Sequence, residues 1–375
     1  MSAERSVHII SFDVPFPADY GGVIDVLNKI KALHGIGVKV NLHCFYYRRP
    51  PADQLSQWCE SVHYYPRLKS PKLLFNRLPY IVCSRVSDQL KENLLKDNFP
   101  ILMEGIHVTS LLNDPDFSGR RMIVRSHNVE HDYYNGLAKA EHALLKKWYL
   151  KMEAHKLKGY EPIMSGAHAI AAISPADTAY FQKQYGNAFY LPVFHPFDAV
   201  QESPVTESFA FYHGNLSVAE NDEAAMFLVT KVFSGLTYPL VIAGSNPSSR
   251  LRQSVEKVSN VKLLTGLSPD EIHQYIAKAK VNVLPTFQST GIKLKLLASL
   301  FIGKSCLVNT PMVEGTGLEQ LCIIADTPED FKNALNNLFS GSGDAKNVLK
   351  SRKEILEKSF SNVLNAGLLA SRLFE

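Results

Sequence analysis

An α/β fold of two doubly wound, Rossmann-like domains facing across a cleft is what this 375-residue sequence predicts. Three observations carry the prediction. Short apolar, β-branched runs recur along nearly the whole chain, helix-length segments separate them, and one polar, proline-containing stretch, HPFDAVQESPVTES (195–208), breaks the rhythm near the middle. Runs too apolar to alternate belong to strands covered on both faces, and connections long enough for a helix let successive strands lie parallel.

In order, the first half offers VHIISFD (7–13), VKVNLHCF (38–45), SVHYYP (61–66), PILMEGIH (100–107), RMIVRSHN (121–128), HAIAAIS (168–174) and AFYLPVF (188–194). The second half offers FAFYHGNL (209–216), PLVIAGS (239–245), VKLLTGL (261–267), VNVLPTF (281–287), SCLVNT (305–310) and CIIAD (322–326). Amphipathic segments such as GVIDVLNKIKALHGIG and SPDEIHQYIAKAK supply the crossover helices. The division that follows is 1–195, 196–340, and a helical tail, 341–375, entered through SGSGDAKN. Doubly wound sheets bind ligands outside the carboxyl ends of their strands, so the informative residues should lie just after strands.

Composition narrows the class. Hydrophobic residues at 46% and charged residues at 20% describe a globular chain with ample core. A seven-residue polar lead before the first strand is too short for a secretory or spanning segment, so a cytoplasmic protein is expected. Five scattered cysteines without a C-x-x-C suggest neither a zinc site nor a disulfide framework. A net charge of +4 is too small to suggest nucleic acid. The charge is concentrated, however, in LLKKWYLKMEAHKLKGY (144–160), either a solvated helix face or a peripheral contact with anionic lipid or a polyanionic acceptor.

Several post-strand sites then stand out. Gly21 and Gly22 precede the first helix and leave its N–H groups open to a phosphate, although a tight turn explains them equally well. No G-x-G-x-x-G or G-x-x-x-x-G-K-[ST] occurs, which removes the main support for dehydrogenase and P-loop readings. Glu104 and His107 end the fourth strand, as acceptor-side candidates, and His127 ends the fifth. In the second half Gly214 with Asn215, then Gly244 and Gly266, each follow a strand and suggest a backbone-lined ligand rim. The stretch STGIKLKLLASLFIGK (289–304) reads as a helix opened by Thr290 and Gly291, followed by Ile292, Lys293, Leu294 and Lys295. Ammonium groups at a helix N-terminus oppose its dipole, so this start calls for an anion, and a diphosphate would answer.

The order P-x-P-x-D-Y-G-G, HNVEHDYY, AISPAD, GIKLKLLASLFIGK and EGTGLE resembles the retaining glycosyltransferases of the GT-B fold, family four, over nearly the whole chain. The resemblance implies a metal-independent hexosyltransferase of polysaccharide biosynthesis, with a nucleoside diphosphate sugar as co-substrate and no further cofactor. It implies Gly21 and Gly22 near the donor phosphates, His127 beside the transferred sugar, Leu267 beside the base, and Lys293 on the diphosphate. The acceptor would be a glycan or a lipid-linked sugar. Two departures go with it. The glutamate pair usual in this family is replaced by Thr290 and Ala298, and its Arg and Lys after the first strand of the second domain by Asn215 and Asn221. A non-catalytic nucleotide-sugar-binding or partner subunit therefore competes with the transferase, as does a nucleotide-sugar epimerase.

Overall fold

The computed structural model describes residues 5–141, 143–201, 207–288, 292–341 and 345–375. Seven parallel strands form the first sheet: β1 (Ser6–Ser11), β2 (Lys39–Tyr46), β3 (Ser61–Pro66), β4 (Ile101–Glu104), β5 (Met122–Ser126), β6 (Ala169–Ala172) and β7 (Ala188–Tyr190). Their order is β3-β2-β1-β4-β5-β6-β7, so the winding reverses between β1 and β4. The second sheet holds β8 (Glu207–His213), β9 (Leu240–Ala243), β10 (Val261–Leu264), β11 (Ala279–Leu284), β12 (Cys306–Val308) and β13 (Ile323–Ile324). Its order is β10-β9-β8-β11-β12-β13, again parallel, with the reversal between β8 and β11.

Each apolar run of the sequence overlaps one of these strands, and most strands are shorter than their runs. The reasons are local. Gly105 takes φ +76 and turns the chain off β4, and Pro192, without an N–H, cannot extend the ladder of β7. Alternation within β1 sends Ile10 to one apolar cluster, with Phe45, Met103 and Val124, and Ile9 to another, with Leu42, Leu102 and Ile123. Both faces of the first sheet are thus covered, as its uninterrupted apolar strands require.

The chain divides into two units. The first runs as far as Ala138 and continues through Ala143–Pro196 and Phe360–Glu375; the second includes Phe197–Ser359. The tail anticipated as one piece is therefore shared. The helix Ala345–Ser359 goes with the second unit, and the helix Asn362–Phe374 returns to the first. Its Ala366, Leu369, Ala370 and Leu373 enter the same cluster as Val26, Leu27, Ile30 and Leu33 of α1 (Gly21–Gly35), and that shared apolar contact decides its placement.

Candidate functional site

At the reversal point of the first sheet, α1 and the ends of β4 and β5 bring five side chains into one network. Asp25 and Lys29 lie four residues apart on the buried face of α1, with the Lys29 ammonium 2.9 Å from Asp25 Oδ2 and 2.7 Å from Glu104 Oε1. Arg125, in the middle of β5, donates to Asp25 through Nε and Nη2 at 3.1 and 2.9 Å and to the carbonyl oxygens of Leu191 and Pro192. The Phe194 N–H donates to Asp25 Oδ1 at 2.8 Å. Asp25, Lys29, Glu104 and Arg125 are wholly buried.

Burial alone would raise both carboxyls. For Asp25 the charges of Arg125, Lys29 and His127 outweigh it, and for Glu104 those of Lys29 and His127 do, so both are held below the ordinary carboxylate range.

His127 is the member of this network that reaches the surface. Its Nε2 lies 3.2 Å from Glu104 Oε2, and its ring meets Phe12 edge-on at 5.7 Å. Glu104, read from the sequence as an acceptor contact on the rim, is instead buried, with its oxygens taken by Lys29 and His127. It can act on a ligand only by orienting His127. His107 lies under the rim beside Phe12, its Nδ1 buried without a partner, and burial with the nearby Arg85 keeps it neutral. Asp25, Glu104 and His127 place one ligand atom each within 4.8 Å of one another, a spacing compatible with a metal ion. The Lys29 ammonium already bonds both carboxylates, so a divalent ion would have to displace it.

Of the two glycines at the start of α1, Gly22 has a structural explanation as well. Tyr20 precedes the helix in extended conformation and caps it with no side-chain bond. A Cβ on Gly22 would lie 2.7 Å from the Phe12 ring, so this glycine is needed for Phe12 to pack where it orders His127.

In the second unit the helix begins at Leu294, with Lys293 as its N-cap, later than the start read from the sequence; Thr290 and Gly291 lie outside the described residues. Ile292 is buried and Leu294 half-buried. The anion this start calls for is already supplied by the chain. Glu220, in the first turn of the helix Ala219–Phe227 after β8, approaches Lys293 Nζ at 3.3 Å and accepts from the Thr286 hydroxyl after β11.

Lys295 donates to Asn221 Oδ1 at 2.8 Å and sits over the Tyr212 ring at 5.0 Å. Burial and the neighbouring Lys293 bring its ammonium down to about 8, against the pull of Glu220. Asn221 is one of the two positions where the resembling family carries a basic residue. Here a basic group reaches that position from another element.

The glycines of this rim need no ligand to account for them. A Cβ on Gly244 would fall 2.1 Å from the Gly214 carbonyl oxygen, Gly214 lies against the Asn221 side chain, and Gly266 has φ +78. Leu267 follows Gly266, half-buried, just before the capping box of Ser268 and Glu271. Asn215 is exposed, and its Oδ1 accepts from Ser217 and Ser245. Asp25, Lys29, Arg125 and Glu220 were not picked out from the sequence. A charged residue at the centre of the apolar strand RMIVRSHN was the one available signal.

Three comparisons bear on this geometry. Residues 208–341 match the family described as glycosyl transferases group 1. An uncharacterized 44.6 kDa protein in the cps region of Klebsiella pneumoniae is 26% identical over 376 residues, covering 94% of each chain. Among solved structures, Anabaena Alr3699/HepE in complex with UDP-glucose superposes with a TM-score of 0.67 at 12% identity, over 98% of this chain and 99% of that one. WaaG, a glycosyltransferase involved in lipopolysaccharide biosynthesis, gives 0.63 at 13%, over 98% and 99%. Residues 208–341 are thus similar to the group 1 glycosyl transferases, and the chain has the GT-B fold of these solved structures.

Proposed function

We propose that the chain is a metal-independent glycosyltransferase that moves a hexose from a nucleoside diphosphate sugar to a glycan or lipid-linked acceptor, with retention of configuration. The observation that carries this reading is the start of the helix Leu294–Ile302, where Lys293 pairs with Glu220 and Lys295, bonded to Asn221, feels the same carboxylate, at the reversal point of the second sheet. Among the described residues these two ammonium groups share this one carboxylate, an excess of positive charge where helix N–H groups already favour an anion. The diphosphate of a donor fits that excess, and the same groups stabilise it as it departs. His127, set by Glu104 and Phe12, is assigned to the hydroxyls of the transferred sugar.

HepE is described in complex with UDP and with UDP-glucose, and the Klebsiella relative comes from a cps region; both support a nucleotide-sugar donor and a role in polysaccharide assembly. A mass-spectrometric screen of nucleotide sugars, followed by assay of the released nucleoside diphosphate, tests the reading. Donor binding with turnover coupled to an acceptor supports it. Binding without turnover supports the second reading, a non-catalytic nucleotide-sugar module, which the alanine at position 298, buried in the helix, favours.

We also assign the basic helix Leu144–Tyr160 to peripheral contact with an anionic membrane. Leu144, Leu145 and Trp148 are 82%, 86% and 65% exposed among Lys146, Lys147 and Lys151, an apolar and cationic combination suited to a lipid surface. Lys156 donates to the Leu74 carbonyl at 2.7 Å and so holds the segment carrying the exposed Phe75 beside this helix. No helix among the described residues is long and apolar enough to cross a membrane. Sedimentation with acidic vesicles should fall when the three lysines become Gln and when salt is added.

A further inference from the structure

Beyond the ends of β2 and β3 lies a group of cations that the network around His127 does not use. Arg67 follows β3 directly, donates from Nε to the Ser84 hydroxyl at 3.0 Å, and lies over the rings of Tyr80 and Tyr47 at 5.2 and 5.8 Å. Arg48 and Lys69 approach the same half-exposed Tyr47 ring at 5.5 and 4.7 Å. Arg85 is only 7% exposed; its Nε donates to the Phe12 carbonyl at 2.8 Å and its Nη1 to the Ile81 carbonyl at 2.7 Å. Its Nη2 has no partner among the described residues.

Among the described residues no carboxylate forms an ion pair with any of these four cations, whereas Arg49, next to Arg48 in sequence, is paired with Asp19 at 2.7 Å. The nearby acids are engaged elsewhere. Asp13 accepts from the Val14 N–H and the Tyr20 hydroxyl, and Glu153 from the Tyr80 N–H while pairing with Lys156.

A guanidinium held out of water without a counter-charge is costly, and the cost is met when an anion completes the site. Burial, and after it the adjacent Arg67, bring Arg85 down to about 10 against the opposing pull of Tyr134, Asp13 and Tyr20. Arg67, bonded to the Ser84 hydroxyl, and Arg85, the next residue along, are close enough to repel each other, and with the half-exposed Tyr47 ring against Arg67 they suit a phosphate or pyrophosphate group. Phe12 links this patch to the network already described, since its carbonyl accepts from Arg85 while its ring orders His127.

We propose that Arg67 and Arg85, with Arg48 and Lys69 around Tyr47, form a subsite for the anionic group of a phosphate- or pyrophosphate-bearing acceptor. Assigning the bound anion to the acceptor rests on the glycosyltransferase reading; the anion site itself does not.

Inorganic pyrophosphate is the probe, titrated calorimetrically into the full chain with and without saturating UDP. The site should bind pyrophosphate in the presence of UDP. Arg67→Gln should weaken that binding about tenfold or more, the scale of a lost charge-assisted contact, with Arg67→Lys recovering part of it. Lys293→Gln should leave it unchanged while weakening UDP. Arg67 is half-exposed, so its variants should keep the fold, and an unchanged melting curve checks this. Pyrophosphate binding that disappears when UDP is present, or that is indifferent to Arg67→Gln, overturns the subsite while leaving the nucleotide reading intact. Failure of UDP to bind, with Arg67-dependent pyrophosphate binding preserved, upholds the anion site and removes its assignment to an acceptor.

Discussion

Asp25, Lys29, Glu104 and Arg125 in the first unit, and Glu220, Lys293 and Lys295 in the second, are both charge clusters at the point where a parallel sheet reverses its winding. They differ in closure. In the first, two carboxylates face two permanent cations, every member is wholly buried, and backbone groups fill the remaining hydrogen-bonding positions. In the second, one carboxylate serves two ammonium groups, and Lys293 and Glu220 keep 16% and 8% of their side chains exposed. Position in a fold therefore does not decide whether a charge cluster is scaffold or binding site. Charge balance and exposure do: the first cluster is complete and holds His127 in place, while the second has an internal carboxylate where a ligand's oxygen can substitute.

The strongest way to break the comparison is Asp25→Ala. It leaves Lys29 and Arg125 buried with Glu104 as their only remaining carboxylate, and should cost about 3–5 kcal/mol, read from urea denaturation. A loss under about 1 kcal/mol would mean that the first cluster is no more closed than the second. Next comes Lys293→Ala, which should weaken nucleoside diphosphate binding by roughly 1.5–3 kcal/mol while changing stability little. Calorimetry with free UDP measures the first effect and a melting curve the second. A large stability loss would make this lysine scaffold too.

Acidification probes both units on a finer scale. Burial lowers His43 to about 2 and also lowers His8, His63 and His107 in the first unit, and it lowers His213 to about 3 and His273 in the second. A histidine kept neutral by the fold contributes fully above its ordinary value of 6.5, and its contribution falls as pH drops from there toward the folded value. The loss is roughly 1.4 kcal/mol per pH unit for each such group. Two groups of the first unit work in the opposite direction: His131, raised chiefly by its hydrogen bond to Glu161, and Glu130, which burial raises to about 7, so they offset part of that loss. Both tryptophans, Trp58 and Trp148, belong to the first unit, so their fluorescence should report a falling urea midpoint between pH 6.5 and 4.5. A midpoint that does not move over that range would mean that these buried histidines are not kept neutral by the fold.

The smallest effect is expected from Glu220→Gln. Removing the internal competitor should tighten UDP binding by a few-fold, less than about 1 kcal/mol. Weaker binding would show that Glu220 positions Lys293 for the ligand and does not merely stand in for it.

The strands were legible in the sequence because a parallel strand buried on both faces is an uninterrupted apolar run, and each such run proved to overlap one. Their ends were less so, since apolar residues continue past the last ladder bond, as in AFYLPVF, where the strand stops at Tyr190. The charge at the start of the helix Leu294–Ile302 was legible as a conflict with the helix dipole. Its partner was not, because Glu220 lies 73 positions away and meets Lys293 only through the sheet. In GGVIDVLNKIKALHG, Asp25 and Lys29 look like an ordinary solvated pair four residues apart. Only Arg125, 100 positions further on, shows that they point inward.

The return of the helix Asn362–Phe374 to the first unit has a consequence for biosynthesis. Its apolar face covers α1, yet in sequence it follows the whole of the second unit. A nascent chain therefore carries the exposed face of α1, with Val26, Ile30 and Leu33, through synthesis of the entire second unit. Domains generally fold as they emerge, N-terminal first. Here α1 is covered only after the second unit has been made, and a truncation before Asn362 would leave its apolar face bare.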